Sequence, residues 1–163
     1  MSELSPITVK RLMGDLRKFK EANLENFKVF PNPNNILDIY FLMKGDKGTP
    51  YEGGEYLGKI MHHPSYPAKA PDYMMYTPNG RFHLNAKICL TNSGYHQSDW
   101  APAAWNLVSL LKGFSSIWHS ESREDKVGIG HLSSSNIEIR HYASLSQEWN
   151  VKNHQDIMEK IDN

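Results

Sequence analysis

Apolar residues recur at helical spacing near both ends of the chain, and in short β-type bursts between them. Near the N-terminus, Val9, Leu12, Met13, Leu16 and Phe19 fall three or four residues apart. That spacing predicts an amphipathic helix over about 6–22. Ser5-Pro6 is a fitting start, a capping hydroxyl followed by a proline that needs no intrahelical N–H bond. Lys10, Arg11, Arg17 and Lys18 lie on the other side, a pattern that by itself describes a solvated charged face. From 27 to 76 the runs FKVF, ILDIYFLM, EYLGKIMH and YMMY are separated by Pro, Asn and Gly clusters. They read as four strands with tight connections. With no helical run between them, they should pair as an antiparallel meander.

Beyond 102, Ala104, Leu107, Val108, Leu111, Phe114 and Trp118 predict a helix through the core. A polar loop follows. Ile139, Tyr142, Leu145 and Trp149 predict a third helix, and Ile157, Met158 and Ile161 a short last one. The order is helix, sheet, helices, which defines one α+β domain over 1–163 with no internal repeat.

Residues 77–102 fit neither period. Pro78, Gly80, Gly94 and Pro102 punctuate an extended, irregular segment with Cys89 in its middle. Loops of that length inside compact domains tend to be functional. A lone cysteine is ordinarily a small buried hydrophobe; its place here favours a reactive thiol instead.

Composition narrows the field. The 163 residues suffice for a self-supporting core, and 39% hydrophobic with 22% charged residues is ordinary for a globular protein. Eighteen basic residues balance eighteen acidic ones, so no overall field draws nucleic acid or an anionic membrane. One cysteine excludes an internal disulfide and a four-cysteine zinc site, and fits a reducing cytoplasmic or nuclear setting. No stretch is apolar enough over a sufficient length to span a membrane. Adjacent His62 and His63 point to opposite sides of a strand and lack a second ligand pair, so no metal and no cofactor is expected.

Specific motifs then accumulate in order: GTPYEGGEYLGKI, YPAKAP, TPNGRF, ICL and DWAPA. Together, over roughly residues 5–150, the chain resembles the ubiquitin-conjugating (E2) enzymes. TPNGRF before the cysteine, with GIGHLS and a helix afterwards, is most similar to the tail-anchored branch that serves endoplasmic-reticulum-associated degradation. The resemblance implies the family's UBC fold. It also implies the activity: ubiquitin is accepted from the E1 activating enzyme as a thioester and passed to a substrate lysine, usually with an E3 ligase.

By the same resemblance Cys89 is the acceptor thiol and Asn79 the asparagine of the family's His-Pro-Asn motif. Chemistry supports both. A thiolate is a strong nucleophile that yields an amine-reactive acyl thioester. A side-chain amide could stabilise the charge built on the carbonyl oxygen during transfer, or it could tighten the Asn-Gly turn; both roles stay open. The resemblance also implies that Ala68, Pro102 and Ala103 occupy the positions that the family presents to RING-type ligases. Lys10, Arg11, Arg17 and Lys18 fit the helix face that docks an acidic surface of E1, a contact that salt should weaken.

Three features depart from the common pattern. Thr77 replaces the motif's histidine, Asn79 precedes Cys89 by ten residues, and Ala68 is smaller than the usual anchor. His96 in GYHQSDW matches a histidine of the tail-anchored branch, which is associated with hydroxyl as well as lysine acceptors. An imidazole near neutrality could take the proton of an incoming hydroxyl. Glu121, Glu124 and Asp125 could orient an incoming lysine or serve as plain surface. Two other readings compete. An inactive E2-like module that only binds ubiquitin or a partner is disfavoured by the retained Cys89. An unrelated cysteine hydrolase lacks its own signature. If a C-terminal anchor belongs to the full protein, the expected setting becomes the endoplasmic-reticulum surface.

Overall fold

The computed structural model describes residues 3–88, 100–121 and 131–161. Cys89, His96, Glu124 and Asp125 lie outside these described residues.

The first helix, α1, runs Pro6–Ala22, with Ser5 Oγ accepting from the Ile7 N–H and Asn23 in the left-handed conformation as its C-cap. These are the bounds that the Ser-Pro start and the periodicity predict. Its inward stripe is different from the predicted one. Thr8, Leu12, Asp15 and Phe19 are buried, with Leu16 packed partly against the core. Val9 and Met13 face solvent. The reason is that Thr8 and Asp15 find polar partners in distant segments, so the helix can turn a polar edge inward.

Strands β1 (Phe27–Pro31), β2 (Asp38–Lys44), β3 (Glu55–Met61) and β4 (Asp72–Met75) form an antiparallel sheet in the order β1-β2-β3-β4. Register is set by the two-residue period. Ile39, Phe41 and Met43 of β2 and Tyr56 and Ile60 of β3 share one face and the main core, whereas Leu42 and Leu57 belong to a smaller cluster. Slipping by one residue would send each set to the wrong side.

Helix α2 (Leu107–His119) crosses the main face and buries Leu107, Leu110, Leu111, Phe114 and Trp118. Its N-cap is Asn106, in a reciprocal capping box with Ser109, so Ala104 precedes the helix instead of belonging to it. Aromatic rings then lock α2 to the sheet: Phe114 stacks on Tyr73 at 4.6 Å and meets Phe41 edge-on at 5.7 Å.

Helix α3 (Asn136–Asn153) again presents an unexpected face. Ile139, Ala143, Ser146 and Asn150 are buried, while Leu145 is exposed. Helix α4 (Gln155–Ile161) sets Met158 and Ile161 against Leu42 and Leu57, with Phe30 and Tyr76 at the margin. The sheet therefore has helices on both faces, with α1 and α2 on one and α4 on the other.

The irregular segment after β4 is irregular in backbone but not loose in packing. Within its described part, Phe82 and Ile88 are fully buried. Asn85 and Ile88 donate their N–H groups to Met75 O and Tyr73 O at 2.9 and 3.0 Å. The segment follows the free edge of β4 through single bridges, which removes unpaired edge groups without building a fifth strand.

Candidate active site

The motif TPNGRF leaves β4 at Thr77, a side chain with no solvent exposure. Its Oγ1 accepts from the Leu57 N–H at 2.8 Å and donates to Asn150 Oδ1 at 2.5 Å. Asn150 in turn donates from Nδ2 to Glu55 O at 2.8 Å, and Ser146 Oγ accepts from the Glu55 N–H at 2.9 Å. The position that carries a histidine in the common motif thus joins the turn to both β3 and α3. Periodicity counted on apolar residues passes over Ser146 and Asn150. The signal that finds them is their spacing in the stripe 139, 143, 146, 150.

Asn79, also buried, organises the turn. Its Nδ2 donates to Thr77 O at 2.8 Å, and its Oδ1 accepts from both the Arg81 and Phe82 N–H groups at 2.7 Å. Gly80 occupies a φ of +80° beside α3, where an added Cβ would sit 3.1 Å from Ser134 Oγ and 3.2 Å from Ile139 Cγ1. Only glycine takes that conformation without strain.

Arg81 is a further residue that the motif's resemblance did not single out. Its buried guanidinium donates to Trp118 O at 3.2 Å and Ile117 O at 3.1 Å, the last turn of α2, and contacts His131 Nδ1 at 2.7 Å. A cation at the C-terminus of a helix is favoured by the exposed carbonyls there. Arg81 O also accepts from the Leu132 N–H at 2.8 Å. Turn, central helix and the start of the 131–135 segment are held as one unit, and Ile88, the residue before Cys89, is anchored to β4.

The positions matched to ligase docking lie on two adjoining loops. Ala68 is exposed in the 62–71 loop, Ala103 is exposed and Pro102 half-buried in the 100–106 segment. Trp100 bridges them by donating its Nε1–H to Pro67 O at 2.7 Å. Of the four basic candidates on α1, Lys10, Arg17 and Lys18 are exposed. Arg11 turns inward, donating to Asp15 Oδ1 at 3.0 Å, to Pro102 O at 3.1 Å and to Trp105 O. Glu121 is exposed at the end of α2's following residue pair.

His62, His63 and His119 serve structural contacts. His62 donates from Nδ1 to Leu37 O at 2.9 Å, and burial pushes its pKa down to about 4, helped by the neighbouring Arg11 charge. His63 accepts from the Ser65 N–H. His119 accepts the Asp46 N–H at Nε2 and keeps Nδ1 for Ser115 O, and burial lowers its pKa. Among the described residues no three His, Cys, Asp or Glu side chains gather as a metal site. No helix among them is long and apolar enough to cross a membrane.

Comparison with known proteins decides the family. The family model described as ubiquitin-conjugating enzyme matches residues 11–149. The chain belongs to the ubiquitin-conjugating enzymes. It is 34% identical over 145 residues to the ubiquitin-conjugating enzyme E2 J2-like of Dictyostelium discoideum, covering 89% of this chain and 82% of that one. It is 33% identical over 152 residues to the human E2 J2, covering 93% of this chain and 57% of that one. The E2 6 of Schizosaccharomyces pombe is 34% identical over 142 residues, 87% and 60% of the two chains. The chain thus spans well under two thirds of the human and yeast relatives. The solved structure of human E2 G1 superposes with a TM-score of 0.61 at 19% identity, over 71% of this chain and 98% of that one; it supports the UBC fold. The relatives named E2 J2 and E2 6 agree with the branch to which TPNGRF and GIGHLS pointed.

Proposed function

We propose that this E2 carries ubiquitin on Cys89 and delivers it, with a RING-type ligase, to lysine or hydroxyl acceptors. The observation that supports this most directly is the family match over 11–149, a span that includes the lone cysteine. In loading, the Cys89 thiolate attacks the acyl carbon of ubiquitin's C-terminal glycine on E1, and the E1 thiolate leaves. In transfer, an amine attacks the new thioester, loses a proton, and Cys89 departs as thiolate. The hydrogen bonds of Asn79 favour its turn role: it holds the Arg81 and Phe82 amides and sets the path of the chain towards the cysteine. His96 acts as base for hydroxyl acceptors, which are scarcely ionised at neutral pH. Lys10, Arg17 and Lys18 receive E1; Ala68, Pro102 and Ala103 receive the ligase. Work at the endoplasmic-reticulum surface is part of the same reading.

The test is incubation with E1, ubiquitin and ATP, followed by electrophoresis with and without reductant. An adduct lost on reduction, and converted to a reductant-stable ester in Cys89→Ser, is the expected result. A protein that stays unmodified sinks the carrier reading and leaves an E2-like binding module.

A further inference from the structure

The polar edge that α1 turns inward is built around one buried carboxylate. Asp15 is 1% exposed. Its Oδ1 accepts from Arg11 Nε at 3.0 Å, and its Oδ2 accepts from the Tyr66 hydroxyl. The two donors lead in different directions. Tyr66 belongs to the 62–71 loop, and its fully buried ring lies 6.3 Å from Trp100. Arg11 passes over that ring at 5.4 Å and donates from Nη2 to Pro102 O and Trp105 O in the 100–106 segment.

A buried carboxylate survives only when its lone pairs are taken by good donors. Here each donor arrives from, or goes on to, a different loop. Losing the charge would weaken both branches together, since charge-assisted bonds are the strong ones. The tyrosine feels the same pairing: burial, then the Asp15 charge, hold its hydroxyl far above its ordinary pKa, so it remains a donor throughout. A second contact, Thr8 Oγ1 donating to Pro64 O at 3.0 Å, ties α1 to the 62–71 loop alone.

We infer that Asp15 is a positioning residue for ligase docking: through Tyr66 and Arg11 it sets the spacing between the loop that displays Ala68 and the segment that displays Pro102 and Ala103. The inference rests on the proposed function for the identity of the partner, but not for the coupling itself. An interface split over two loops binds well only if the loops are pre-arranged, because ordering them on contact subtracts from affinity. It also gives Arg11 a task distinct from E1 docking, which its inward course does not suit.

Two backbone amides report on the two loops. The Ala68 N–H is held by Ser65 O at 2.8 Å and the Ala104 N–H by Ala101 O at 2.9 Å. Hydrogen exchange at both should accelerate in Asp15→Asn. The Ala68 amide should respond more than the Ala104 amide in Tyr66→Phe and Thr8→Val, and the Ala104 amide more in Arg11→Met, since Trp100 and the Arg11–Tyr66 contact also join the two loops. Exchange that rises at one loop alone in Asp15→Asn overturns the coupling, as does a uniform rise through β2 and α2. For the docking half, single-turnover discharge of the ubiquitin thioester is followed with the RING domain that most accelerates the wild type, and with hydroxylamine alone. Asp15→Asn should lose roughly ten- to a hundredfold of the RING-stimulated rate and keep the hydroxylamine rate and the E1 loading rate. An unchanged RING-stimulated rate, or equal losses in all three, overturns that half. A wild type that accepts no thioester sinks the proposed function, while the exchange result still decides the coupling.

Discussion

Thr77 donates its hydroxyl hydrogen to Asn150 Oδ1 at 2.5 Å, joining residues 73 positions apart. Both side chains are fully buried, and the same Thr77 oxygen satisfies the Leu57 N–H of β3. Removing the hydroxyl leaves two buried polar groups without their partner. Thr77→Val should therefore cost about 2–4 kcal/mol, near the cost of two orphaned groups, whereas Thr77→Ser should cost under about 1.5 kcal/mol. Urea unfolding monitored by tryptophan fluorescence measures both. A loss in Thr77→Ser larger than in Thr77→Val would show that the methyl group, not the hydroxyl, matters here.

Gly80 carries the second prediction. Its left-handed φ and its closeness to Ser134 and Ile139 leave little room for a Cβ. Gly80→Ala should destabilise by about 1–3 kcal/mol, and it should slow thioester formation by shifting the turn held by Asn79. Unaltered stability together with an unaltered loading rate would mean that the turn relaxes freely.

The pH dependence of stability follows from His62. Buried and set beside Arg11, with the bond to Leu37 O only partly opposing, it holds its proton more weakly folded, at about 4, than unfolded, near 6.5. Below pH 6.5 the unfolded chain binds a proton that the folded chain refuses. Stability is complete above that value and falls as the pH drops towards 4, by about 2 kcal/mol at pH 5. His119 and His154, both lowered by burial, act in the same direction. Urea midpoints at pH 7.5 and pH 5 give the difference, and His62→Asn should reduce it. A variant whose midpoints separate as widely as the wild type assigns the effect elsewhere.

Acceptor chemistry supplies the fourth. Under the proposed function, His96→Ala should depress discharge to free serine about a hundredfold or more, in the range of general-base contributions. Discharge to free lysine above pH 8 should change little, because the amine there needs less help. Parallel losses with both acceptors would assign His96 to structure.

Much of this organisation is legible in the chain. Ser5-Pro6 and the three-and-four spacing that follows mark both ends of α1, and the four β-type bursts appear as four strands in the predicted sequential order. Such features are local: capping, turn geometry and period depend on residues within a few positions of one another. The Asn-Gly pair likewise offered the turn as one of two roles for Asn79, and the family that the motifs suggested is the one to which the chain belongs.

Which face of a helix goes inward was a different matter. Counting apolar positions selects Val9 and Met13 on α1 and Leu145 on α3, yet the buried stripes include Thr8 and Asp15 on one helix and Ser146 and Asn150 on the other. A polar side chain can be buried only if a donor or acceptor meets it. Those partners stand at Pro64, Tyr66, Glu55 and Thr77, dozens of residues away. Local spacing holds no record of them. The amino-acid sequence by itself determined the elements, their order and the turn before Cys89, because near neighbours decide those. Tertiary structure alone decided that Thr77 would meet Asn150 and that Arg11 would reach Pro102 O and Trp105 O in place of solvent, since each outcome depends on a partner that only folding brings within hydrogen-bonding distance.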